Sequence, residues 1–214
     1  MADKIMGLRE KKKKAQRKLL AETTIELFLE HGFHGTTVDR IADVAGISRR
    51  TFFHYFPAKQ DVLTAWYGQQ GEYLATVFRA RPTDEPIWDS LVVAFLKMHK
   101  HYGGDDERTR RLRRLIHLEP VLLAKKYDFY VGAAEMLVPA VKSRIRTPVK
   151  QNLLVHVVVQ AAIAAYNAAY GEWTLRSSSQ FEAIALRSFR LGRPVSTEDF
   201  LLADVKHRDS EMPR

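Results

Sequence analysis

Between residues 19 and 63 the apolar positions recur every three or four residues and break twice at glycine, a pattern that predicts three helices in quick succession. Leu20, Thr24, Leu27 and Phe28 fall on one face of a first helix over about residues 10–31, with Glu22, Glu26 and Glu30 on the others. Gly32 ends it, and Phe33 is placed to fold back onto the core. Thr36 or Thr37 then caps a second helix whose Val38, Ile41, Ala42 and Ala45 share a buried face. Gly46 supplies a left-handed turn behind it, anchored by Ile47. Ser48 caps a third helix over residues 49–56, in which Phe52 and Phe56 face one way while Arg49, Arg50, Phe53 and His54 point elsewhere. Two helices joined by a short turn, the second of them basic, describe a helix-turn-helix, whose second helix enters the DNA major groove by its N-terminal end.

Helical periodicity continues to the end of the chain. A long helix over residues 59–80 carries Val62, Leu63, Trp66, Leu74, Val77 and Phe78, and the prolines at 82 and 86 stop it, with Thr83 or Asp84 as the next cap. Further helices are expected at about residues 87–102, 106–117, 121–144, 149–176 and 180–191, the third of them bent at Pro139. Residues 155–159 alternate briefly as a strand would, and Ser196 to Asp199 could cap a short extra helix in the tail. The fold class is therefore all-α. A three-helix N-terminal DNA-binding domain with its basic arm (residues 1–58) is expected to be joined by the long helix to a larger helical domain for ligand binding and dimerisation (59–214).

Composition narrows this in two ways. The 214 residues, 46% of them hydrophobic, can bury a sizeable core, yet no unbroken apolar run reaches the ~18–20 residues of a membrane helix, the longest, residues 153–165, being interrupted by His156 and Gln160. With no apolar leader segment and no cysteine, disulfides and thiolate metal sites are excluded, and the expected location is the cytoplasm, with no membrane partner. The net charge of +9 points to a polyanion. Seven basic residues, Arg9, Lys11, Lys12, Lys13, Lys14, Arg17 and Lys18, stand against Glu10 directly before the helix-turn-helix, where such a run suits phosphate contact as well as solvation.

The combination of Gly32-Phe33, Thr36-Thr37-Val38, Ile41-Ala42, Ala45-Gly46-Ile47-Ser48, Thr51, Tyr55-Phe56 and Lys59 resembles the DNA-binding domain of the TetR family of bacterial transcriptional regulators over some 45 residues. Phe52-Phe53 and Arg50 depart from the family's usual residues, which alters the expected operator and not the fold. The resemblance implies a regulator, most often a repressor, that binds a palindromic double-stranded operator as a homodimer and is released by a small-molecule effector. In that family the last two long helices of each subunit build the dimer interface. The alanine-rich Gln160–Trp173 stretch fits such a close helix contact.

Chemistry assigns roles within the motif. Arg49 and Arg50 can present guanidinium forks to guanine, while Phe53 can offer apolar contact to a thymine methyl. By family analogy the Phe53 position reads a base. Thr37, Ser48, Thr51, Tyr55 and Lys59 are expected near phosphates, and His54 faces DNA or solvent. For an apolar effector with a few polar contacts the candidates are Trp66, Tyr67, Phe95, His99, Tyr102, His117, Tyr127, Tyr130, His156, Tyr166, Asn167 and Tyr170. The run Arg108, Arg110, Arg111, Arg113 and Arg114 could hold an anionic group of the ligand or pair with the glutamates of the first helix. No phosphate loop, nucleophile elbow or zinc-protease signature is present, and His99 and His101 diverge on a helix, so no enzyme activity, metal or cofactor is expected. A helical enzyme or small-molecule carrier with a merely structural helix-turn-helix is the alternative from another class. A ligand-independent repressor is the third reading.

Overall fold

The computed structural model describes residues 7–145, 151–175 and 180–194. Within them lie nine α-helices: α1 Leu8–Gly35, α2 Val38–Val44, α3 Arg49–Tyr55, α4 Val62–Arg79, α5 Ile87–His101, α6 Glu107–Leu118, α7 Pro120–Lys142, α8 Gln151–Leu175 and α9 Phe181–Gly192. A 3₁₀ turn, Lys59–Asp61, precedes α4. No strand occurs among the described residues, and residues 155–159, which alternate in sequence, lie inside α8. Pro139 is accommodated inside α7, near its C-terminal end. The short helix expected from Ser196 falls outside the described residues.

The chain divides into two compact units, one made of Met1–Tyr73 with Lys100–Ala133, the other of Leu74–His99 with Ala134–Arg214. In the first unit Leu20, Thr24, Leu27, Phe28, Ile41, Ala42, Phe52 and Phe56 of the faces read from the sequence are buried, Ile25 joins them, and Val38 and Ala45 are only partly buried. Each large apolar side chain among the buried ones contributes roughly 1.5–3 kcal/mol through removal from water. Gly32 has φ 72°, a left-handed value that breaks α1 and turns Phe33 edge-on to Phe28 at a 5.3 Å ring separation. The choice between the two threonines is settled by burial. Thr36 is buried and donates to the carbonyls of Leu27 (3.0 Å) and Gly32 (2.8 Å), whereas the exposed Thr37 accepts from the Arg40 N–H at 3.2 Å and caps α2.

The first unit also packs α6 on α1. Thr109, Leu112, Arg113 and Ile116 form the buried stripe of α6, which leaves Arg108 and Arg111 to reach α1. Arg108 Nε donates to Glu26 at 2.7 Å and Arg111 to the Leu29 carbonyl at 2.8 Å, so pairing with a glutamate of the first helix is the fate of Arg108. His34 and Glu119 meet at 3.0 Å on the same side.

In the second unit α8 packs closely on α9. A methyl group placed on Gly192 would lie 3.2 Å from the Ala165 Cβ, and Ser188 Oγ donates to the Ala165 carbonyl at 2.7 Å. Part of the alanine-rich stretch is thereby spent inside the protomer, since Ala162, Ala165 and Ala169 are buried while Ala164 and Ala168 remain exposed. Counted as a helix rather than as an unbroken run, Leu153–Leu175 is long and apolar enough to cross a membrane, and half of it is buried inside the protein. That burial accounts for its apolar inner face. The stretch between the two prolines is held by Arg144, which donates to Ser90 Oγ at 2.8 Å and to the Pro82 carbonyl at 2.9 Å. The next helix starts at Ile87, later than a cap at Thr83 or Asp84 would place it. Glu85 instead accepts from Arg81 Nε at 2.8 Å and from Ser90 Oγ at 2.5 Å.

Candidate nucleic-acid interface and effector residues

The recognition surface is built from the turn upward. Gly46 adopts φ 63° and the Ile47 N–H donates to the Ala42 carbonyl at 3.0 Å, which ends α2 and swings the chain into α3. Ser48 accepts from the Thr51 N–H at 3.1 Å, and its hydroxyl also meets that of Thr51 at 2.8 Å. Beneath α3, Phe52 and Phe56 fix the helix to the core. Above it, Arg49, Arg50, Phe53 and His54 are exposed together, Phe53 at 43% despite being a large apolar side chain. Thr51 and Tyr55 are half-buried at the flank. An open groove of about 1000 Å³ runs between Lys12, Lys13 and Gln16 of α1 and Gly46, Thr51, His54 and Tyr55 of the motif. The arm lysines 11–14, all exposed, continue α1 rather than leaving it. The Arg9 side chain lies outside the described residues.

The two arginines differ. Arg49 pairs with Asp39 of α2, Nη1 lying 3.2 and 3.0 Å from the two carboxylate oxygens, and its guanidinium stands 5.7 Å from the Phe53 ring centre. Arg50 is exposed and engaged by no hydrogen bond or ion pair among the described residues. Lys59 corrects its sequence reading. Its ammonium is not directed outward to a phosphate but donates to the carbonyls of Phe33 (2.5 Å) and Thr36 (2.7 Å) and lies 4.2 Å from the Phe33 ring centre. The carbonyls where Gly32 breaks α1 attract it, that of Phe33 being otherwise met only by the Thr36 N–H at 3.4 Å, and burial lowers its pKa from the ordinary lysine value while Glu119 acts the other way. No periodicity signals this contact, because its partners lie 26 and 23 residues away.

The expected effector residues fall into two sets, one in each unit. In the second unit Phe95, His99, Tyr166 and Tyr170 are buried in an aromatic cluster with Trp173, Phe181 and Phe189. His99 stacks on Phe181 at 3.9 Å and its Nδ1 meets the Tyr170 hydroxyl at 2.7 Å. These rings pack against one another, and Trp173, Phe181 and Phe189 belong to the cluster though the sequence did not single them out. Asn167 is partly buried and His156 exposed.

In the first unit Tyr67 and Tyr130 are buried, Trp66 and Tyr102 partly so, and His117 and Tyr127 are exposed. Tyr67 stacks on Phe129 at 5.0 Å, Arg113 lies 5.6 Å from the Trp66 ring centre and Lys126 5.6 Å from that of Tyr130. A cavity of about 150 Å³ opens beside Trp66, lined also by Ile25, Gln69 and Tyr102; it is smaller than the roughly 300–1,000 Å³ typical of ligand pockets. His101, the neighbour in sequence of Tyr102, stacks on Tyr73 at 4.2 Å. No group of three or more metal-ligating side chains occurs among the described residues.

Comparison with known proteins bears on both ends of the chain. Residues 20–66 match bacterial regulatory proteins of the tetR family, and residues 85–194 match the MftR C-terminal domain. The chain is 25% identical over 186 residues to the HTH-type transcriptional regulator TcmR of Streptomyces glaucescens, covering 84% of this chain and 82% of that protein. It is 30% identical over 125 residues to the putative mycofactocin biosynthesis transcriptional regulator MftR of Mycobacterium tuberculosis, covering 58% and 63%. Among solved structures, Thermus thermophilus FadR, a TetR-family transcriptional repressor in complex with lauroyl-CoA, superposes with a TM-score of 0.54 at 21% identity over 84% of this chain and 95% of that one.

Proposed function

The chain belongs to the TetR family of bacterial regulatory proteins and is a transcriptional regulator, and from that premise we propose that it is a repressor that binds a palindromic operator as a homodimer and leaves it when a small, mainly apolar effector binds. The observation that supports DNA reading most directly is the outward row Arg49, Arg50, Phe53 and His54 on a helix fixed from below by Phe52 and Phe56. Base reading falls to Arg50 and Phe53, and to Arg49 once it leaves Asp39. Thr37, Ser48, Thr51 and Tyr55 flank them and supply hydroxyls and backbone N–H groups for phosphates, while the arm lysines add attraction independent of sequence. Residues 1–58 carry the reading head and 59–214 the effector and dimer functions. The protein works in the cytoplasm, where its DNA is.

Dimerisation through α8 and α9 is supported by apolar side chains that stay exposed on those helices, Leu153 at 75%, Leu175 at 74% and Leu191 at 80%. Two copies would set their recognition helices about 34 Å apart, one turn of DNA. An acyl chain is one effector class, being what the structurally similar FadR holds. The effector must favour the DNA-incompetent arrangement, each 1.4 kcal/mol of preference giving about tenfold in operator affinity. The test is selection of binding sites from a random duplex library by the full chain, followed by titration across salt. An inverted repeat bound at least about 10³-fold above random DNA supports the reading; enrichment of no sequence refutes it.

A further inference from the structure

The cavity beside Trp66 has two kinds of wall. Ala21 and Ile25 of α1, both buried, and the half-buried Ala65 of α4 make the apolar one, and the single-carbon side chains at positions 21 and 65 leave the space of about 150 Å³ open. Trp66, Gln69 and Tyr102 make the other. Each is half-buried, and among the described residues the Trp66 indole N–H, the Gln69 amide and the Tyr102 hydroxyl make no hydrogen bond. Polar groups that have lost part of their water are normally paired, and here three that are not line one cavity. The Trp66 ring is already positioned by other contacts, with Tyr67 at 4.8 Å and the Arg113 guanidinium 5.6 Å from its centre. At the cavity's edge the charges of Lys18 and Glu22 answer each other at 3.8 Å.

We propose that this cavity is a binding site for a single-ring aromatic molecule of the phenol class, its ring against Trp66 and the apolar wall and its one polar group toward Gln69 and Tyr102. A mainly apolar space of about 150 Å³ has room for a benzene-sized ring and not for a long chain. The indole supplies a flat aromatic surface for the ring. Its N–H only donates, whereas the amide and the hydroxyl both donate and accept, so a small hydroxyl or carbonyl on the ring finds partners. A charged group would find only the Lys18 and Glu22 pair, whose charges cancel. Such a ligand touches α1 and α4 at once and ties the helix that leads into the DNA-reading motif to the one that follows it. The site is too small for an acyl effector and does not depend on that reading.

The test follows the tryptophan indole N–H resonances of the full chain during titration with phenol, with toluene, which lacks the hydroxyl, and with cyclohexanol, which lacks the flat ring. Of the three tryptophans, Trp88 and Trp173 are buried, and Trp66 is identified by the signal lost in Trp66→Phe. Phenol should shift the Trp66 signal saturably with a Kd of about 1 mM or lower, at least about threefold tighter than either of the other probes. Ala65→Leu, which keeps a good helix former and fills the space, should weaken phenol at least about tenfold. Gln69→Met, of similar size but without the amide, should bring phenol and toluene within about twofold of each other. No saturable shift at Trp66, shifts confined to Trp88 or Trp173, equal affinity for the three probes, phenol binding undiminished in Ala65→Leu, or an unchanged lead over toluene in Gln69→Met overturns the site.

Discussion

The guanidinium of Arg49 is held by the carboxylate of Asp39, Nη1 to Oδ2 3.0 Å, across the turn that joins the two helices of the DNA-reading motif. The pair is exposed on both sides and so contributes about 0–1 kcal/mol to stability, but it fixes where one of two neighbouring arginines points. Arg50→Ala should therefore cost about 1–3 kcal/mol at the selected operator and relax preference at one base pair. Asp39→Ala should leave thermal stability almost unchanged and alter which operator variants bind, because Arg49 is then released. Anisotropy titrations against an operator panel check both; parent-like profiles for Arg50→Ala and Asp39→Ala would remove Arg50 and the pair from specificity.

Lys59 is a cap and not an outward charge, so Lys59→Met should lower stability by about 1–3 kcal/mol, the cost of leaving the two carbonyls at the α1 break without their charged donor. Operator affinity should fall with it, while the slope of log affinity against log salt stays that of the parent. A slope smaller by about one unit with unchanged melting would return Lys59 to the phosphates.

The exposed alanines of α8 offer the tightest test of the dimer. Ala164→Arg or Ala168→Arg places a bulky charge on the outer face of a helix whose inner alanines already pack on α9. The expected outcome is monomer or aggregate by analytical ultracentrifugation, and with it loss of operator binding. Two variants of undiminished dimer mass would place the interface elsewhere.

Glu85 carries a pH dependence of its own. Hydrogen bonds from Arg81 and then Ser90 hold its carboxyl down to about 2, against 4.5 ordinarily, so the unfolded chain binds the proton first. A depressed carboxyl contributes stability that is complete above its unfolded pKa and disappears as pH falls through the folded one. Glu85→Gln should melt below the parent at pH 6, with the gap closing progressively between about pH 4.5 and 2. A gap independent of pH over that window would assign the loss to packing of the bend between the prolines.

What the sequence determined was local. The cap at Ser48, the turn at Gly46 and most of the buried faces of α1 to α3 depend on residues within four or five positions of one another, the range over which a helix couples side chains, whereas burial of Thr36 decided that Thr37 caps α2. Helix order and most helix ends were legible for the same reason. Only the tertiary structure decided which partner a polar or aromatic side chain meets. Tyr127 and Tyr130 are three residues apart on α7, yet one is exposed and the other buried, according to which side of the helix the rest of its unit covers. Lys125 finds Asp61 while Lys126 finds Arg113, and Lys59 finds the carbonyls of Phe33 and Thr36 in place of solvent. Nor does the sequence separate the rings packed together in the second unit, such as Phe95 and Tyr166, from those of the first that lie beside charges, such as Trp66 and Tyr130. Burial and ion pairing depend on distances between residues far apart in the chain, and helical periodicity carries no information about those distances.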